Sequence, residues 1–301
     1  MKHLHGYLKD LNLQSTMARP SEHSRMLFDY FADQVDNDIQ ARLVSDLIGR
    51  YAALSRELDE RNAQLARSEA ALEKYNTQLE ALVEEKVNEI STSQVAAIHA
   101  LVKLAESRDD DTGAHIERTS AYCKLLAEKL YGLGGYGIGA DYPENIALAS
   151  PLHDIGKVGI PDAILLKPAK LTDDEFAVMK THTVIGYKTL LSAEHLYPEN
   201  TFLRTGMEIS RHHHEKWDGG GYMDGLTGER IPLSARIMAL SDVYDALRSR
   251  RPYKDPFPHE RAVEIMANGR GSHFDPALFD VFLHYQMEFC DIFERAGGNP
   301  A

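Results

Sequence analysis

The stretch HHHEKWDGGGYMDG at 212–225 sets three imidazoles beside a carboxylate, then adds a run of glycines and the chain's only tryptophan. Packing gives no reason to cluster histidines, because each ring brings a donor and an acceptor that need partners when buried. Metal binding does give one. A second candidate is the pair His153-Asp154 within LHDIGK. On a helix, adjacent side chains point about 100° apart and so bracket an ion from neighbouring directions, although one such pair taken alone is more often a hydrogen-bonded core pair. Asp111 and His115 are spaced i, i+4 around a helix start, on one face. His182 lies in the helix that follows Thr172, and Asp242 interrupts the apolar run IMALSDV, where an unpaired carboxylate is costly. Asp111, His115, His153, Asp154, His182, His213, His214 and Asp242 together offer oxygen and imidazole donors without a thiolate. Such a set suits Fe, Mn, Ni, Co or Zn at a reactive centre rather than a structural zinc cage. It exceeds what one ion needs, so two or three divalent ions are implied.

These side chains need elements to hold them. From Gln94 onward helical blocks alternate with punctuation, at 95–108, 113–131, 143–152, 172–192, 202–213, 234–249, 259–268 and 276–294, and strand alternation is hardly present. The expected fold class is all-α. Thr172-Asp173-Asp174-Glu175 and Asp275-Pro276 are good helix starts, each a capping side chain followed by acid or proline in the first turn. The glycine-rich run YGLGGYGIGAD at 131–141 follows a helix, not a strand, so a phosphate-cradling reading fails on context. Upstream, Leu47, Tyr51, Leu54, Leu58, Leu65, Leu72, Tyr75, Leu79 and Leu82 follow alternating steps of three and four, with Arg61 and Ser68 in seam positions. The pattern then shifts to Val83, Val87 and Ile90, as a stutter would. This is a coiled-coil seam flanked by Glu, Lys, Arg and Gln, and it predicts a parallel homodimer; the alternative is one long helix folding back on its own domain. Three regions result: a polar tail at 1–23 with little expected order, a helical coiled-coil signalling region at 24–93, and a helical domain at 94–301.

With 301 residues, 43% of them hydrophobic, the chain is globular, with room for one large domain or two ordinary ones. Its net charge of −13 argues against DNA or broad nucleic-acid binding, so a phosphate-bearing ligand needs locally placed cations or metals. The opening residues lack an apolar run of signal-peptide length and no membrane-span-length run occurs, so the expected location is the cytoplasm, with no membrane contact. Cys123 and Cys290 form no CxxC pair and read as core thiols.

Residues 91–283 resemble the HD-GYP family, a branch of the HD superfamily whose members are metal-dependent cyclic-dinucleotide phosphodiesterases. The resemblance is carried by RDDDTGAHIER at 108–118, HDIGKVGIPDAILLKPAKLT at 153–172, His182, HHEKWDGGGYMDGL at 213–226, IPLSARI at 231–237, SDVYDAL at 241–247, RPYK at 251–254 and SHFDP at 272–276. It implies a helical HD-superfamily domain, with the family's metal ligands falling on His115, His153, Asp154, His182, His213, His214 and Asp242. The lysine after the HD pair falls on Lys157, and the ligand-contacting Tyr, Arg and Lys fall on Tyr222, Arg251 and Lys254. It implies cyclic di-GMP as substrate, hydrolysed either to pGpG or onward to GMP, with iron or manganese as the leading metals. The alternatives are a 3′,3′ cyclic GMP-AMP phosphodiesterase and a catalytically inactive cyclic di-GMP receptor. In this reading Asp154 bridges the ions, Lys157 contacts phosphate or nucleophile one turn on, and Arg251 and Lys254 offer a bidentate fork and a point charge.

Two departures from the family pattern stand out. Asp111 stands where three-metal members carry glutamate, one methylene longer, which bears on the third ion and on whether hydrolysis stops at pGpG. Gly221-Tyr222-Met223 replaces Gly-Tyr-Pro, and methionine frees φ and restores a backbone N–H. No metal ligand is touched; what changes is the loop's rim and its contact with a diguanylate cyclase (GGDEF) partner. His212 is expected outside the ligand set, Glu215 and Trp217 are expected to hold the loop, and His273 to organise a helix start.

Overall fold

The structure, a computed structural model, describes residues 38–106, 114–250 and 255–297. The expected tail, the first part of the coiled-coil region, Asp111, Arg251 and Lys254 lie outside the described residues. Among the described residues every regular element is a helix, and the single isolated bridge, Arg270 to Phe274, is the nearest approach to strand pairing. No helix among them is long and apolar enough to cross a membrane. The chain divides into two compact units after Ile90.

Helix α1 (Asp38–Glu106) runs for 69 residues without a break. The sequence reading begins a new block near 95, but Ser-Thr-Ser-Gln at 91–94 contains neither glycine nor proline, and weak helix formers alone do not stop a helix. Leu47, Leu54, Leu65, Leu72 and Leu79 of the heptad seam are each more than half exposed. Among the described residues nothing covers that row.

The second unit continues with α2 (Ala114–Leu133), α3 (Tyr142–Ala149), a 3-10 segment (Ser150–Gly159), α4 (Asp162–Leu165), α5 (Asp173–Lys180) and α6 (His182–Glu194). There follow α7 (Thr201–His212), a 3-10 turn (Gly228–Arg230), α8 (Leu233–Arg248), α9 (His259–Ala267) and α10 (Pro276–Arg295). Its main core joins α2, α8 and α10 through aromatic rings. Tyr122 stacks on Phe289 with centroids 4.8 Å apart, and Tyr244 meets both edge-on. Each such ring, fully buried, contributes about 1.5–3 kcal/mol, and this core fixes the two helices that carry His115 and Asp242. A second cluster, Val102, Ile116, Leu152 and Leu190, ties the last turns of α1 to α2, the 3-10 segment and α6. Cys123 and Cys290 are buried free thiols, and burial pushes Cys123 up to about 12.

The expected helix starts are present. Thr172 and Glu175 exchange side-chain and backbone bonds in a capping box, and Asp275 accepts from the amides of Ala277 and Leu278. Two expectations are corrected. The block 172–192 is two helices, and His182 opens the second rather than lying within the first. Thr181 Oγ1, His182 Nδ1 and Thr183 Oγ1 donate in succession to the carbonyls of Val178, Met179 and Lys180, at 2.6, 2.8 and 3.0 Å. Side-chain bonds of this kind compete with the helical ladder, which explains the break. Second, the His153-Asp154 pair sits in a 3-10 segment, not an α-helix. With three residues per turn, side chains at i and i+3 eclipse, so Lys157 lies over Asp154 and His153 over Ser150.

Candidate metal centre

Four of the candidate histidines are oriented through Nδ1. His153 Nδ1 donates to the Ser150 carbonyl at 2.9 Å, His182 Nδ1 to Met179 at 2.8 Å, and His213 Nδ1 to Ile209 at 2.9 Å. His115 Nδ1 donates to the Asp245 carboxylate at 2.8 Å. Carbonyls and carboxylates only accept, so in each ring Nδ1 carries the proton and Nε2 presents its lone pair, as metal-binding imidazoles require. Burial pushes His213 and His214 below their ordinary value, which keeps both neutral.

The Nε2 atoms of His153, His182 and His213 converge on Asp154. Its Oδ1 lies 3.2 Å from His182 Nε2 and 3.7 Å from His213 Nε2, and its Oδ2 lies 3.3 Å from His153 Nε2 and 2.8 Å from Lys157 Nζ. Asp154, His182, His213 and His214 form one group of mutually close ligand atoms, and His115, His153 and Asp242 form another. His115 Nε2 stands 3.8 Å from Asp242 Oδ1. Burial works to raise the Asp154 carboxyl, but the Lys157 ammonium beside it outweighs burial and holds it well below its ordinary range. It is therefore an anion.

This arrangement sets lone pair against lone pair. Asp154 Oδ1, His182 Nε2 and His213 Nε2 are buried without a hydrogen-bond partner, and orphaned buried polar atoms are destabilising unless something charged completes them. Donors about 2.1 Å from a common ion at right angles lie about 3 Å apart, close to the spacings found here. The residues fit divalent ions. Backbone proximity enforces the geometry: a Cβ on Gly156 would collide with the His182 carbonyl and the Gly186 amide, so only glycine lets the 3-10 segment lie against α6.

The glycine loop covers one side of this centre. Tyr222 N–H donates to the His214 carbonyl at 3.3 Å, and the Tyr222 ring lies on that of His214 with centroids 4.8 Å apart. Glu215, buried, accepts from the amides of Asp224, Gly225 and Leu226 at 2.6, 3.0 and 3.2 Å, and the Trp217 amide donates to His273 O. A Cβ on Gly221 would strike the backbone of His214, Glu215 and Lys216. His212, Glu215 and Asp224 form a third close group, but Glu215 is committed to those amides and Asp224 to a two-pronged bond with Arg211 at 2.9 and 2.6 Å. Both carboxylates are spent on closing the loop.

Residues 99–278 match the HD domain family. The chain belongs to that family. Within it, the chain is 48% identical over 235 residues to a Vibrio cholerae serotype O1 protein named "Probable cyclic di-GMP phosphodiesterase", covering 77% of this chain and 53% of that one. It is 52% identical over 207 residues to a second protein of that organism, a cyclic di-GMP phosphodiesterase, covering 68% of this chain and 42% of that one. A 3'3'-cGAMP-specific phosphodiesterase of the same organism is 40% identical over 195 residues, with 65% of this chain and 35% of that one covered. The chain spans about half the length of the first two relatives. Membership of the HD domain family implies divalent metal binding, in agreement with the two ligand groups.

The HD domain thus brings together His115, His153, Asp154, Lys157, His182, His213, His214, Tyr222 and Asp242. One residue escaped the sequence reading. Asp245, fully buried on α8, accepts from His115 Nδ1, from Arg118 Nε at 2.6 Å and Nη2 at 2.8 Å, and from Ser249 Oγ at 3.1 Å. Burial works to raise its carboxyl, yet Arg118 and His115 hold it below the ordinary range. It anchors His115, which lacks the local carbonyl anchor of His153, His182 and His213. The available signals were a second aspartate one turn beyond Asp242 in the same apolar helix and an arginine one turn beyond His115.

Proposed function

We propose that this chain hydrolyses the phosphodiester bonds of cyclic di-GMP, with two divalent ions held by Asp154, His182, His213 and His214 on one side and His115, His153 and Asp242 on the other. The placement of Asp154 carries this reading, with Oδ1 toward His182 of one group and Oδ2 toward His153 of the other, since two ions held side by side there would suit in-line displacement at phosphorus. Divalent ions there supply Lewis acidity and make a water acidic enough to lose its proton near neutral pH. Iron or manganese suits the mixed oxygen and imidazole donors, and a third ion rests on Asp111.

The chain's own residues do the remaining work. Asp154 fixes the spacing of the ion sites, one oxygen toward each group. Lys157, 2.8 Å from Asp154 Oδ2, holds an ammonium beside the ion sites, placed to meet a phosphate oxygen or pass a proton from Nζ. Tyr222 closes the face next to His214, and Arg251 and Lys254 take phosphate or guanine oxygens. Hydrolysis stops at pGpG or continues to GMP according to whether a third ion is held at Asp111. The relatives named for cyclic di-GMP are more similar than the one named for 3'3'-cGAMP, which favours cyclic di-GMP. The exposed heptad row of α1 supports a homodimer, and the loop rim, where Met223 is exposed, supports docking of a diguanylate cyclase.

The test is anaerobic turnover of cyclic di-GMP with Mn or Fe(II), products resolved by chromatography, with elemental analysis of the protein and of Asp154→Ala. Two or more ions per chain and hydrolysis, both lost in the variant, are expected. No turnover at full metal loading refutes the substrate, and hydrolysis of 3′,3′ cyclic GMP-AMP in its place establishes the alternative.

A further inference from the structure

The metal centre accounts for a phosphodiester but leaves the bases of a nucleotide without a surface. Helix α5 has no buried residue, and Phe176 on it is 44% exposed. An exposed aromatic on a helix rich in charge is not spent on the core. Its ring and that of Tyr222 meet in a T-shaped contact, with centroids 6.0 Å apart and planes at 83°, and Tyr222 in turn lies on the ring of His214. Lys180, one turn beyond Phe176, places Nζ 5.2 Å from the Phe176 centroid and 5.8 Å from that of Tyr222. Among the described residues Lys180 makes no ion pair, so its charge faces two π surfaces and no carboxylate. An aromatic wall with an uncommitted ammonium thus leads from the surface to a metal ligand.

We propose that Phe176, Tyr222 and Lys180 form a purine-stacking subsite, a role that rests on the phosphodiesterase reading of the adjacent centre. The base takes the place of the Lys180 ammonium over the Phe176 ring, and Lys180 swings to the base edge to face the N7 and O6 acceptors of guanine. The nucleotide's own phosphate then reaches toward His214 and the ions. Stacking on aromatic side chains tolerates either purine, so the subsite supplies affinity while leaving discrimination to Lys180 and other contacts.

The experiment is calorimetric titration of the metal-loaded protein with GMP and with ribose 5-phosphate, which lacks the base, for the parent, Phe176→Ala, Phe176→Trp and Lys180→Ala. Phe176 is exposed, so its replacement leaves the fold intact. Expected are GMP binding weakened about tenfold by Phe176→Ala, recovery in Phe176→Trp, weakening by Lys180→Ala, and unchanged ribose 5-phosphate binding throughout. The subsite is overturned if the parent shows no preference for GMP over ribose 5-phosphate, if Phe176→Ala binds GMP like the parent, or if both ligands weaken together. Turnover of cyclic di-GMP by the parent is measured alongside. Its absence with GMP preference intact refutes the phosphodiesterase reading and leaves the subsite standing; its presence with an unchanged KM in Phe176→Ala refutes the subsite alone.

Discussion

Replacing Asp245 by asparagine tests whether a buried carboxylate positions His115 for metal. The carboxylate is fully buried, accepts four hydrogen bonds, and pairs with Arg118, itself 5% exposed. Asparagine keeps the volume but turns one oxygen into a donor. If the amide nitrogen takes the Oδ2 position it opposes His115 Nδ1 and Arg118 Nη2; if it takes Oδ1 it opposes Arg118 Nε. Either way Arg118 stays buried without its anion, a loss of about 3–5 kcal/mol. For a unit of this size each kcal/mol moves Tm by about 2–4 °C, so the metal-free variant should melt about 6–20 °C lower. Outer partners of metal-bound histidines typically contribute about 10–100-fold in affinity, and here the effect should fall on the ion that His115 and Asp242 hold. His182 and His213 keep their carbonyl anchors. Thermal melts with and without metal, chelator competition and elemental analysis after gel filtration give the answer: one ion fewer per chain and a lower metal-free Tm. Parental metal content and affinity with an unchanged melt would refute the positioning role.

Gly156→Ala drives a Cβ into the backbone of His182 and Gly186, where no flexible side chain can yield. Urea unfolding should show a loss of about 1–3 kcal/mol or more, with metal content falling as Asp154 and His182 part. Leu65→Asp with Leu72→Asp places charge on the exposed seam of α1 and should leave a monomer by light scattering; an intact dimer would mean the seam is not the interface. Asp224 is held below the ordinary carboxylate range, chiefly by its bonds to Arg211. Its folded pKa is the lower one, so its contribution is full above the unfolded value and is lost as pH falls through the folded value. Amide-exchange protection at 222–226, corrected for intrinsic rates, should hold through the ordinary carboxylate range and fall only below it, whereas Arg211→Gln should move that loss to higher pH.

What was legible in the sequence follows from how each side chain is anchored. His153, His182 and His213 are each oriented by a carbonyl three or four residues earlier. Their orientation is written in a few neighbouring residues. His115 depends on a carboxylate 130 residues away. Nothing in its neighbourhood names that partner, although an apolar helix holding both Asp242 and Asp245 needs a counter-group for each, and Arg118 stands one turn from His115. The helices themselves were read within a few residues where caps were present, as at Thr172 and Asp275. The break at Thr181 was missed because threonine is only a modest helix former; three side chains bonding to carbonyls in sequence decided it, a cooperative feature that propensity does not carry. The same holds for the 3-10 segment, whose tighter turn is what sets Lys157 over Asp154. Phe176 is the opposite case. On an acidic helix start it reads as surface, and only the return of the glycine loop, with Tyr222 beside His214, turns that surface into the wall of a site.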